Sequence, residues 1–191
     1  MTLPHAGSYD QAMGLRPGTH KLGPDNATLV VKTYHEGIAA KAGHDLVIDV
    51  TQWGATLEVG NGRPRLELDA DAHSLRVREA VGGLKPLRDR DRAEIRRNID
   101  EKVLGGAPIY FRSNAVEASG EDRLSVSGAL KMHGQTHPAS FELSVGPEGQ
   151  LSGTARLVQS EWGIKPYRGL MGALRVRDSL EVVFEGRLPP A

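Results

Sequence analysis

LSVSGALKMHGQTHPASFELSV, from Leu124 to Val145, decides the fold. Apolar residues fall on even positions going in (Leu124, Val126, Leu130, Met132) and on odd positions coming out (Ala139, Phe141, Leu143, Val145). Between them, HGQTHP carries a Gly and a Pro that interrupt the pattern. Side chains of a strand alternate between faces, so the segment is expected as a β-hairpin with one apolar and one polar face. The apolar face needs a cover or a ligand. With no nucleophile–base pair and no metal cage, the hairpin points to a β container more than to an enzyme.

The same alternation recurs on both sides. ATLVVKTYH (Ala27 to His35) is rich in β-branched residues. DLVIDVTQWGATLEV (Asp45 to Val59) places Leu46, Ile48 and Val50 on one face, then shifts parity to Trp53, Ala55, Leu57 and Val59. A parity shift around Gln52 to Gly54 predicts a bulge or tight turn. RLELDADAH (Arg65 to His73) alternates again, and strand patterns restart at Ile109, Leu151 and Ser179. Asp69 and Asp71 share a parity with each other and not with Leu66, Leu68, Ala70 and Ala72, so they read as a solvent face.

One segment is helical. DRDRAEIRRNIDEKVLGG (Asp89 to Gly106) spaces Ile95, Ile99 and Val103 four apart, on one face. Asp89 and Asp91 open it and Gly105 and Gly106 close it, as dipole and C-cap preferences require. A surface helix over about 89–104 is expected, with Arg92, Arg96 and Lys102 in water. About eight strands and one helix imply an all-β domain, an antiparallel barrel or sandwich, over residues 18–191. Residues 1–17 have no sustained period and are expected as a flexible N-terminal arm.

Composition narrows the function classes. The chain has 191 residues, with 24 basic and 24 acidic, so its formal net charge is zero and a global nucleic-acid-binding surface is not indicated. Cysteine is absent, which excludes disulfides and thiol chemistry. No run approaches the ~18 apolar residues of a membrane helix, and the N-terminal segment lacks the apolar core of a secretory signal. A cytoplasmic protein with no integral membrane segment is expected; homodimerisation is left open.

The order of parts resembles the YceI-like family of lipocalin-like proteins. The resemblance is carried by the charged helix Arg90 to Lys102, the step Ala107-Pro108-Ile109-Tyr110-Phe111, and Gly128, Leu130, Gly134, Thr136 and Pro138 of the hairpin. It spans roughly Gly18 to Leu188. It implies an extended, lipocalin-like, eight-stranded antiparallel barrel with an elongated apolar tunnel, in a branch without a signal peptide. It further implies non-catalytic binding or carriage of an apolar small molecule of isoprenoid (polyisoprenoid) or fatty-acyl lipid type, with no cofactor.

Residues expected to contact such a ligand follow from strand parity. Val31, Ile48, Leu57, Leu68, Phe111, Leu130, Phe141 and Phe184 are expected to line one interior, with Trp53 beside them. In EWGIKPYRGLMGALRVRD (Glu161 to Asp178), Trp162, Tyr167, Leu170, Met171 and Leu174 sit among Lys165, Arg168, Arg175 and Arg177. This segment either frames a tunnel mouth or plugs the barrel. The rival reading is a small enzyme or metal site built from His35, His44 and Asp45; a third is a barrel with a filled interior. His133 and His137 are four apart, but Gly134 and Pro138 place them in a turn rather than on a zinc-binding helix.

Overall fold

In a computed structural model, which describes residues 15–60 and 63–188, the hairpin forms between strands Arg123–Met132 and Gln135–Val145. Its connection is only two residues long. His133 and Gly134 both have positive φ (50° and 74°), as a type I′ turn between twisted strands demands. Leu143 pairs with Leu124 and Phe141 with Val126, so the two apolar sets share one face. The turn expected over HGQTHP is thus shorter than expected, and Pro138 lies inside a strand opposite Ala129. The outer edge of that strand meets its next neighbour only from Glu142 onward, so the missing Pro138 N–H interrupts no ladder there.

In chain order the strands are β1 (Gly18–Leu22), β2 (Ala27–Thr33), β3 (His35–Glu36), β4 (His44–Val50), β5 (Trp53–Val59), β6 (Arg65–Ala70), β7 (Leu75–Gly82), β8 (Ile109–Ala118), β9 (Arg123–Met132), β10 (Gln135–Val145), β11 (Gln150–Val158), β12 (Arg168–Gly169), β13 (Leu174–Val176) and β14 (Ser179–Arg187). Eleven of them form one strongly curled antiparallel sheet in the order β1-β5-β6-β8-β9-β10-β11-β14-β2-β4-β7. A second sheet holds β12, β13 and β3.

The main sheet therefore has eleven strands, not the eight expected. Corners account for the difference. The chain runs from β4 into β5 through Thr51 and Gln52, and from β6 into β7 through Asp71 to Ser74. Pairing persists across this corner: Thr51 N–H donates to Ser74 O (3.1 Å), and Asp71 N–H donates to Gln52 O (2.9 Å). The parity shift near Trp53 is this corner, which keeps Val50 and Trp53 both inside. β1 and β2 are split in the same way, around Gly23 to Asn26. Asp71 caps the corner by accepting from His73 N–H (2.8 Å).

β7 has no counterpart among the expected strands. A register shift between Val47 and Ile48 skips Arg78, so the inward parity changes from Val77 to Ala80 and the period-2 signal is broken. Of the expected N-terminal arm, residues 1–14 lie outside the described residues, whereas Leu15 is 3% exposed and belongs to the core.

The helix α1 (Asp89–Asn98) continues as a π-helical turn, Ile99–Leu104, and ends at Gly105 in the left-handed conformation (φ 61°). The π-turn rotates the inward face: Ile99 and Val103 pack against the core and Leu104 is buried. Arg92, expected in water, is half-buried and donates from Nη1 to Val77 O of β7 (2.9 Å). At the helix start, Arg88 N–H donates to Asp91 Oδ2 (2.9 Å).

This backbone hydrogen bond, assisted by the guanidinium groups of Arg88 and Arg90, holds the Asp91 carboxyl below the usual carboxylate range. A depressed folded-state pKa contributes stability above the ordinary carboxylate pKa of about 3.9, and that contribution is lost as pH falls through the folded value. An NMR titration should place the Asp91 midpoint below the ordinary carboxylate value of about 3.9. A midpoint at or above that value would show that the cap is not formed.

Candidate functional site

The inner face of the curled sheet encloses an apolar cavity of about 220 Å³. Val31, Ile48, Leu57, Leu68, Phe111, Leu130, Phe141 and Phe184 all line it. Thr33 and Gln159 are the two polar residues in its wall. The wall also includes Ile99, Val103 and Leu104, so the π-turn forms one side of the cavity. Sequence reading placed Ile99 and Val103 on the barrel without assigning them to an interior space.

The wall is built by strand alternation and by one close approach. Phe111 and Phe141 pack with centroids 5.4 Å apart. Gly128 allows this arrangement, because a Cβ there would lie 2.7 Å from Phe111 Cζ and 2.8 Å from Ser113 Cα. Trp53 packs edge-on against Phe184 (6.0 Å, 84°) and buries behind the cavity wall rather than in it. Gln159 was missed, although it continues the inward parity of Leu151, Ala155 and Leu157. Its Nε2 donates to Arg177 O (2.9 Å), which ties the end of the cavity to the chain returning into β14.

The segment from Glu161 to Asp178 divides into two parts. Trp162 and Ile164 turn inward, 1% and 2% exposed, and Ile164 reaches the cavity. Trp162 itself lies outside the cavity wall; its Nε1–H donates to Leu130 O (3.0 Å) and its ring meets His137 edge-on. The remainder folds outward as the small β12–β13 hairpin, which pairs with β3. Tyr167, Leu170, Met171 and Leu174 are not in the cavity wall, and Leu170 and Met171 point into solvent. Of the two readings, the plug describes Trp162 and Ile164, and the rest of the segment forms an external hairpin rather than a mouth.

The histidine cluster does not assemble. His35 Nδ1 lies 2.7 Å from Asp45 Oδ1, and the same oxygen accepts from His35 backbone N–H (2.9 Å). His44 turns away and bonds through Nε2 to Lys85 O (2.9 Å). Among the described residues, no group of three or more His, Cys, Asp or Glu is placed to hold a metal. Asp45 closes the loop from Glu36 to Gly43 by holding His35, the residue before it. Next to it, Tyr34 donates to Glu181 Oε2 (2.9 Å). That hydrogen bond chiefly, then burial and the Glu181 charge, raises the phenol pKa.

The YceI-like domain family matches residues 104–188. BcnA of Burkholderia cenocepacia has the same fold at 11% sequence identity, with a TM-score of 0.61 over 83% of this chain and 94% of that one. The YceI protein of Campylobacter jejuni aligns at 9% identity and a TM-score of 0.54, covering 75% of this chain and 85% of that one. No curated protein matches the sequence. Among the described residues no helix is long and apolar enough to cross a membrane. The family match falls on the end of the π-turn and on β8 to β14, which supply Phe111, Leu130, Phe141 and Phe184 of the cavity, and over these residues the chain resembles a YceI-like domain.

Proposed function

We propose that the protein binds a slender apolar molecule, of fatty-acyl or short isoprenoid type, inside the curled sheet without transforming it. The observation that carries this reading is the wall: thirty residues converge on the cavity, and only Thr33 and Gln159 among them are polar. An apolar space of about 220 Å³ exceeds the ~150 Å³ engineered cavity that takes up benzene. It is smaller than the roughly 300 Å³ at which sites for drug-sized ligands begin. A single chain fits that range. A long polyisoprenoid would need the Phe111, Phe141 and Phe184 rings to move.

Binding strength would come from burial. At about 0.8 kcal/mol per methylene, a chain that buries about eight of them gains on the order of 6 kcal/mol, a Kd of tens of micromolar before ordering costs. Thr33 and Gln159 give one end of the cavity a hydroxyl and an amide for a polar terminus. The His35–Asp45 pair lies outside the wall and contributes to loop closure instead.

Titration with a fluorescent fatty-acyl probe tests the proposal. Saturable binding at one site, competed by unlabelled fatty acid, is expected. Mass spectrometry of an organic extract of the purified protein should show a co-purifying lipid chain. A protein that neither carries such a chain nor takes up the probe would favour the filled-barrel reading.

A further inference from the structure

Three loops at one end of the barrel expose large apolar side chains. Ile38 is 97% exposed, Leu84 77%, Leu170 59%, and Met171 is fully exposed. The loops are held together. Ala39 N–H donates to Ala173 O (3.0 Å), which joins the Ile38 loop to the tip of the β12–β13 hairpin. His44, at the end of the Ile38 loop, pairs with Gly82 and bonds to Lys85 O, which joins the Leu84 loop.

The backbone at the tip is strained. Leu170 and Met171 have φ of 48° and 53°, a region that side chains larger than Asn or Asp rarely adopt. Two bulky apolar residues are therefore held in solvent in a conformation that suits neither.

Basic residues surround these tips. Lys41, Lys85 and Arg168 are exposed, and no carboxylate pairs with them among the described residues. Arg168 stands directly opposite Arg175 in the β12–β13 ladder, and like charges in that position repel. Among the described residues Glu36 pairs only with Arg175 (3.7 Å). In a chain of zero net charge, this end concentrates unpaired cations around protruding apolar tips.

We propose that this end of the barrel docks on an anionic phospholipid bilayer. Ile38, Leu170 and Met171 enter the boundary between headgroups and acyl chains, while Lys41, Lys85 and Arg168 meet lipid phosphates. Discrete tips on three separate loops suit a fluid interface better than the flat, close-packed face of a protein partner. The inference goes beyond cavity binding and stands on different residues. It also gives that binding a direction, because Thr33 and Gln159, in the cavity wall, lie next to β3 and β13.

Co-sedimentation with phosphatidylcholine vesicles, with and without phosphatidylglycerol, tests it. The wild-type protein should bind the phosphatidylglycerol vesicles, and high salt should weaken this. Met171→Asp should lower partitioning by about ten-fold or more, since a buried Met side chain is lost. Asp tolerates the left-handed conformation, so this variant keeps the fold. The double variant Lys41→Glu, Arg168→Glu should lower it by at least about ten-fold and abolish the preference for phosphatidylglycerol.

The fatty-acyl probe, titrated in solution, should bind all these variants as it binds wild type, which separates docking from cavity function. Absence of wild-type binding to anionic vesicles would overturn the proposal, as would vesicle binding unchanged by either variant. Concentration-dependent dimerisation abolished by Met171→Asp, without vesicle binding, would overturn it in favour of a second copy of the chain.

Discussion

Leu130→Trp should abolish measurable binding of an apolar probe, and Leu130→Phe should weaken it by about ten-fold or more, while both variants stay folded. Leu130 sits in β9, paired with Phe111 of β8, and its side chain lines the cavity. A larger ring there enters empty space rather than a packed neighbour. The usual overpacking cost of about 1–3 kcal/mol should therefore fall at its lower end. Trp carries an added cost of about 1–3 kcal/mol wherever its indole N–H does not reach Thr33 or Gln159, the two polar residues of the wall. Phe carries none, so the pair separates filling from polarity. Affinity should fall in the order Leu, Phe, Trp. Probe titration beside thermal melting provides the check; two folded variants that bind like wild type would place the ligand elsewhere.

The interior of this protein was legible because a period of two survives wherever one face avoids water. The eight residues Val31, Ile48, Leu57, Leu68, Phe111, Leu130, Phe141 and Phe184 come from eight strands, yet all meet at one cavity. Parity alone assigns their side, and curling of the sheet brings the sides together. Local irregularity hid the remaining features. A skipped residue at Arg78 disguised β7, and the π-turn after Asn98 rotated the helix face, so Arg92 met β7 rather than water.

The Glu161–Asp178 segment was the least legible, for a different reason. Its apolar residues have no strand period to assign them a side. Trp162 and Ile164 became core, while Leu170 and Met171 became solvent-facing. The sorting is tertiary. Gly163 in the left-handed conformation (φ 69°) ends the turn that buries Trp162, and pairing with β3 carries the rest outward. Likewise, nearness in sequence suggested that His35 and His44 meet. Adjacent residues of a strand point to opposite faces, so Asp45 and His44 cannot both face His35. Asp45 faces it, and His44 turns to Lys85.

Trp162→Ala should produce the largest loss of stability, about 3–5 kcal/mol for the cavity left by a buried indole. Trp162 is 1% exposed and holds three separate parts of the fold. Its Nε1–H satisfies Leu130 O in β9; its own carbonyl accepts from His133 Nδ1 (3.2 Å) in the β9–β10 turn; its ring packs on His137 of β10. Truncation also removes the indole donor from Leu130 O, whose ladder pairing with His137 remains, a further cost of about 0.5–1.5 kcal/mol for the lost hydrogen bond. Trp162→Phe retains most of the packing and removes only the donor, so it should cost the smaller amount alone. The bond from His133 Nδ1 to the carbonyl of residue 162 does not involve the indole, so it is retained in both variants and keeps the turn as an internal reference. Urea denaturation of the three proteins reads these differences as midpoint shifts at constant slope. Because Gln159 and Ile164 flank Trp162 and line the cavity, loosening this turn should also speed probe exchange. A Trp162→Ala protein as stable as wild type would show that the plug does not anchor this end of the barrel.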